Sequence, residues 1–156
     1  MCGIAGFCTL DGTPLPPEAE GWLEDMTRTL AHRGPDGQGL WVRGGVALGH
    51  RRLSIIDLAA GAQPMSDAEG RATVVFNGEI YNFAELREEL KGRGCVFRTR
   101  SDTEVILHAW LVWGTACLER FNGMFAFALW DARDRTLFCA RDPFGKKPFC
   151  YTVQGG

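Results

Sequence analysis

The chain has 156 residues, 46% of them hydrophobic, and a formal net charge of −2. That length suits one domain with a buried core and leaves little room for a second. With no block of like charge there is no nucleic-acid footprint, and the longest apolar run, residues 124–130, is too short to span a bilayer. No basic segment followed by an apolar one opens the chain, so the expectation is a cytoplasmic protein with neither a membrane nor a nucleic acid as partner. The cysteines at 2, 8, 95, 117, 139 and 150 form no CxxC pair and no zinc-spaced cluster with histidine. They read as reduced, mostly buried structural thiols, with no metal site.

Residues 2–8 are apolar and small, which suits a buried strand. After Pro16-Pro17, the apolar positions Ala19, Leu23, Met26 and Leu30 recur at helical spacing up to the Gly34-Pro35 stop. Segments 39–42 and 46–48 predict a hairpin around Gly44-Gly45. Residues 53–58 form a further apolar run, and 59–70 a polar loop. Residues 72–76 predict a strand that runs into Asn77-Gly78-Glu79. Asn82 with Glu85, and Ser101 with Glu104, have capping-box spacing and open two helices; Phe83, Leu86 and Leu90 form the inner face of the first. Residues 124–130 predict a strand covered on both faces, 136–140 its return, and 149–153 a last strand. Strands at both ends with helices between them predict an α+β fold of antiparallel sheet packed with helices.

Cys2 stands apart because of its position. Removal of Met1 would leave it with a free α-amino group whose pKa of about 8 lies close to the thiol's at about 8.5, so nucleophile and base would sit on one residue. With Met1 retained, that amine is tied up in a peptide bond.

Several segments stand in a telling order: MCGIAGF at the start, His32-Arg33-Gly34-Pro35-Asp36, GHRRLSIIDL at 49–58, FNGEIYN at 76–82, Ser101-Asp102-Thr103-Glu104, and Arg141-Asp142-Pro143-Phe144-Gly145. Together they resemble the glutaminase domain of glutamine-dependent asparagine synthetases, class II glutamine amidotransferases of the N-terminal nucleophile hydrolase superfamily. The resemblance runs across nearly the whole chain. It implies a four-layer αββα sandwich and hydrolysis of L-glutamine to glutamate and ammonia. It implies Cys2 as nucleophile, and the Asn77 side chain and Gly78 N–H as the oxyanion hole. It also implies that Arg52 holds the substrate carboxylate, that Glu79 and Asp102 hold its ammonium, and that backbone at Leu53, Ser54, Ile55 and Ile56 lines it.

The chemistry fits these types. Two preplaced donors stabilise a tetrahedral oxyanion, a guanidinium grips a carboxylate, and carboxylates pair with an ammonium. Read alone, Asn77-Gly78 is equally a tight turn, Arg51 and Arg52 are equally surface charge, and Asp102 is equally a first-turn acid kept ionised by the helix dipole. His32 and Arg33 either shape a pocket entrance or belong to a structural turn.

The Ser-Gly-Gly-x-Asp-Ser-type pyrophosphate loop of the family's synthetase domain does not occur in this sequence. The chain therefore reads as a C-terminally truncated glutaminase domain over 1–156. ATP and magnesium are expected only for the synthetase domain, the ammonia-accepting partner, and no cofactor for this chain. Two other readings stay open: a non-catalytic remnant or interaction module, and a glutaminase half serving another acceptor such as a sugar phosphate.

Overall fold

The computed structural model describes residues 1–53 and 61–154. In chain order the described elements are β1 (Gly3–Cys8), α1 (Ala19–Thr29), β2 (Gly37–Arg43), β3 (Val46–Arg52), β4 (Met65–Ser66), β5 (Ala72–Ile80), α2 (Phe83–Gly92), α3 (Asp102–Trp113), a 3-10 turn (Gly114–Arg120), β6 (Gly123–Asp131) and β7 (Thr136–Arg141). All pairings are antiparallel. One sheet has the order β1-β3-β2, the other β4-β5-β6-β7.

Side-chain alternation sorts these elements into four layers. From β3, Val46 and Leu48 join Val75 of β5 and Ala128 of β6 in a cluster between the sheets, against which Ile4, Cys8, Trp41 and Leu137 also pack. The opposite face of the first sheet meets α1, which buries Ala19, Leu23 and Thr27. Gly49 permits that approach, because a β-carbon there would overlap the Thr27 side chain. The other face of the second sheet contributes Val74, Phe76, Phe125, Phe127 and Leu129 to the larger core, closed by Leu86 and Leu90 of α2 and Val105, Ile106 and Ala109 of α3. The layer order is α1, first sheet, second sheet, α2 with α3. This is the αββα sandwich.

Several expectations are corrected. Asn77-Gly78 is no turn: both lie inside β5, and the chain turns only after Ile80. The β1 segment is an edge strand and mostly half-buried. On α1, Thr27 takes the inner place expected of Met26, its hydroxyl donating to the Leu23 carbonyl at 3.0 Å. Asn82 does not cap α2 with its side chain; it donates to the Arg120 carbonyl and accepts from the Asn122 N–H, stapling α2 to the loop before β6. Ser101 does cap α3, accepting from the Thr103 N–H, but Glu104 reaches back to the Arg98 and Thr99 N–H groups instead of closing the box. Residues 149–153 form no strand, and among the six free cysteines only Cys117 is fully buried.

Candidate functional site

One end of the inter-sheet layer collects the residues singled out above. In β1, Ile4 and Cys8 face the second sheet, whereas Phe7 stacks near Trp22 of α1. By alternation Cys2, just ahead of β1, faces the second sheet too. Its thiol lies against the end of β3: the Leu53 N–H donates to Cys2 Sγ at 3.4 Å, and Sγ lies 3.6 Å from the Leu53 carbonyl.

The same alternation separates the two adjacent arginines. Arg51 lies on the α1 face, where its guanidinium donates to Gln38 Oε1 at 2.9 Å and Gln38 in turn donates to Thr27. Arg52 continues the row of Val46, Leu48 and His50 and so points into the inter-sheet layer. It is half-buried and lies close enough to His50 to disfavour protonation there.

The 32–36 segment holds this end together. Arg33 Nε donates to the Cys2 carbonyl at 3.1 Å, the Asp36 N–H donates to the Arg52 carbonyl at 3.0 Å, and a β-carbon on Gly34 would overlap the Arg51–Arg52 peptide. His32 is exposed and stays with its own turn, one ring nitrogen 3.1 Å from the Thr29 carbonyl. The segment acts as a clamp on the backbone at Cys2 and Arg52, with Arg33 and Gly34 as its working parts.

Across the layer stands β5. Asn77 follows Val75 on the face toward the first sheet and is 4% exposed. Gly78 is set by backbone direction. Phe125, its partner on β6, exchanges hydrogen bonds with Asp142 on its far side: the Asp142 N–H donates to the Phe125 carbonyl at 2.8 Å, and Phe125 N–H donates to Asp142 Oδ2. The Gly78–Phe125 pair is therefore of the non-hydrogen-bonded kind, so the N–H and C=O of Gly78 point away from β6. Phe76 and Ile80 point the same way, and their groups are taken: Phe76 N–H donates to Gln63 Oε1, Phe76 C=O accepts from His50 Nε2, and Ile80 N–H donates to Asp102 Oδ2. Between them the Gly78 N–H faces past the end of β4, which pairs only with Thr73 and Val74. A side chain at 78 would overlap the Met124 carbonyl, so the close pairing with β6 requires glycine.

Asp102, at the first turn of α3, is 4% exposed. Burial pushes its carboxyl up from the usual carboxylate range, and the nearby Glu79 charge adds to that. The two carboxylates, one buried and one half-buried, form a locus that a cation would relieve. Burial also holds His50 down at about 4, so it is neutral at pH 7, with the proton on Nε2 facing the Phe76 carbonyl.

The structure thus brings Cys2, Arg52, Leu53, Asn77 and Gly78 to one end of the layer, with Glu79 and Asp102 alongside. Ser54, Ile55 and Ile56 lie outside the described residues. Sequence reasoning missed Gln63, whose amide bridges the Phe76 N–H and the Thr103 hydroxyl, and His50, which ties the two sheets. His50 sat in a segment already singled out; nothing local marked Gln63.

A family model for a glutamine amidotransferase domain matches residues 1–156. The chain belongs to the glutamine amidotransferase domain family. It is 43% identical over 157 residues to asparagine synthetase (glutamine-hydrolyzing) 3 of Bacillus subtilis, covering 99% of this chain and 25% of that protein. It is 47% identical over 170 residues to a putative asparagine synthetase (glutamine-hydrolyzing) of Mycobacterium bovis, covering 100% of this chain and 26% of that protein. The chain thus spans about a quarter of the length of these curated relatives. Among solved structures, the glutamine phosphoribosylpyrophosphate amidotransferase of B. subtilis superposes with a TM-score of 0.69 at 24% identity, over 92% of this chain and 37% of that one. That likeness carries the fold alone, two antiparallel sheets packed between helices.

Proposed function

We propose that this domain hydrolyses glutamine to glutamate and ammonia with Cys2 as an N-terminal nucleophile, and that it is the ammonia-supplying part of a glutamine-hydrolysing asparagine synthetase. The observation that carries the reading is the Cys2 thiol, held by the Leu53 peptide at the end of β3, whose inner face packs on the face of β5 that carries Val75 and Asn77.

In this reading Met1 is removed and the α-amino group of Cys2 accepts the thiol proton. Sulfur attacks the side-chain amide carbon of glutamine. The Asn77 amide and the Gly78 N–H receive the oxyanion, and such donors contribute most when fixed before the charge develops. Collapse of the tetrahedral adduct expels ammonia, which takes the proton held by the amine. Water then attacks the thioester, releasing glutamate and restoring the thiol. Arg52 pairs with the substrate carboxylate. Glu79 and Asp102 receive its ammonium, and the raised proton affinity of Asp102 supports that role, because a bound cation offsets both its burial and its repulsion from Glu79. ATP and magnesium belong to the synthetase unit that consumes the ammonia. The names of the relatives favour this acceptor over a sugar phosphate.

The test is glutamate release by the purified chain, with loss of Met1 verified by mass spectrometry and Cys2→Ala run in parallel. Release that falls to background in Cys2→Ala is the expected result. A folded chain with Cys2 as its first residue that releases no glutamate defeats the reading and leaves a non-catalytic module.

A further inference from the structure

Lys147 belongs to no part of the site described above, yet it is only 4% exposed. Its Nζ donates to Met1 Sδ at 2.9 Å. A thioether is a weak acceptor, so a buried cation has been brought to the chain's first residue for little return in hydrogen bonding.

The placement is built in detail. Asp142, immediately after β7, accepts from the N–H groups of Phe125, Phe144, Lys146 and Lys147. The Gly145 N–H donates to the Asp142 carbonyl, and Gly145 adopts a φ of +62° that favours glycine. Arg141 closes the turn from outside, its Nε donating to the Lys147 carbonyl and its Nη2 to the Gly145 carbonyl. The turn is anchored on Phe125, the strand partner of Gly78, which fixes it at the same end of the sandwich as Cys2.

We propose that Lys147 is a positioning residue for the N-terminal amine: with Met1 removed, its side-chain cation stands beside the newly freed α-amino group of Cys2 and keeps that amine neutral and ready to accept the thiol proton. A neighbouring like charge disfavours the protonated form of an amine. The proposal rests on the glutaminase reading.

Other charged groups lie at the same end of the first sheet. Arg33 reaches the Cys2 carbonyl from the clamp, Arg51 and Arg52 lie at the end of β3, and Asp36 bonds the Arg52 carbonyl through its backbone. Asp142 lies under the Lys147 backbone, and the Cys2 thiol is on the same residue. All of these stay in place when Lys147 alone is changed, so a shift on substitution reports Lys147.

The experiment uses the full chain lacking Met1 and reads kcat/KM for glutamate release against pH, in the parent, Lys147→Met, Lys147→Gln and Lys147→Arg. Both neutral variants should move the acidic limb up by about one pH unit, and Lys147→Arg should restore it. Two neutral side chains of different polarity guard against a folding defect in one, checked by thermal melts. Rates that drop equally at every pH, with the limb unmoved, overturn the proposal and make Lys147 structural. A second readout separates it from the glutaminase reading: the α-amine titration followed by NMR in a Cys2→Ala background, where thiol coupling is gone. No glutamate release, with a midpoint that still moves in Lys147→Met, refutes the glutaminase reading alone. Glutamate release with an unmoved midpoint refutes the Lys147 role alone.

Discussion

The two sheets divide the labour unequally. The second is sealed on both faces: Phe125, Phe127 and Leu129 of β6 lie under α2 and α3, while Ala126 and Ala128 face the first sheet. Among the described residues the first has three strands and one helix, and Cys2 stands just ahead of its edge strand β1. The proposed oxyanion donors, Asn77 and Gly78, thus belong to the rigid half, and the nucleophile to the thin half. An oxyanion hole must be fixed before charge develops, whereas a nucleophile has to move between free, tetrahedral and thioester geometries. What the edge strand lacks in packing, the 32–36 clamp supplies through backbone contacts at Cys2 and Arg52.

The sharpest test of this asymmetry is paired truncation. Phe127→Ala removes a ring with no solvent exposure from the larger core and should cost about 3–5 kcal/mol in denaturant melts. Phe7→Ala, a half-buried ring on the edge strand, should cost well under half as much. Equal losses would break the comparison. Next in size is Asn77→Ala, expected to lower kcat for glutamate release by about 10²–10³-fold with little change in KM; a rise in KM at unchanged kcat would move Asn77 from transition-state to ground-state binding.

The smallest effect concerns the tie between the sheets. His50 titrates at about 4 in the fold against 6.5 as its ordinary value, so the unfolded chain takes up the proton first. Its contribution is fully present above pH 6.5 and is lost as pH falls through the window down to about 4, a loss of about 3 kcal/mol at most. Stability measured at pH 7.5 and 4.5 should fall more in the parent than in His50→Gln, and parallel pH profiles would remove His50 as the titrating tie.

Much of this was legible in the sequence. The position of Cys2, the glycine at 78, the hairpin at Gly44-Gly45 and the inner face of α2 all have local signatures of spacing or residue type. The conformation of Asn77-Gly78 did not: the dipeptide favours a turn, but pairing with Ala126 and Phe125 keeps it extended, and only the partner strand decides that. Gln63 and His50 act on residues 13 and 26 positions away, and Arg33 on one 31 away. Such contacts leave no periodic trace. Residue type alone did not separate Arg52 from Arg51; the resemblance singled out Arg52, and the strand register assigns the two side chains to opposite faces.

The row of backbone groups on β5 has a consequence for solubility. Beyond β4, the outward N–H and C=O groups of Phe76, Gly78 and Ile80 form a stretch of sheet edge, the kind of surface on which another chain adds a strand and starts an aggregate. Among the described residues, Gln63, His50 and Asp102 block that row on both sides of Gly78 with side chains, from a loop, a strand and a helix. A donor isolated in this way is too little to template a ladder, yet it is open to a single small oxygen. The arrangement that leaves Gly78 facing the cleft therefore also protects the domain from joining its own copies edge to edge.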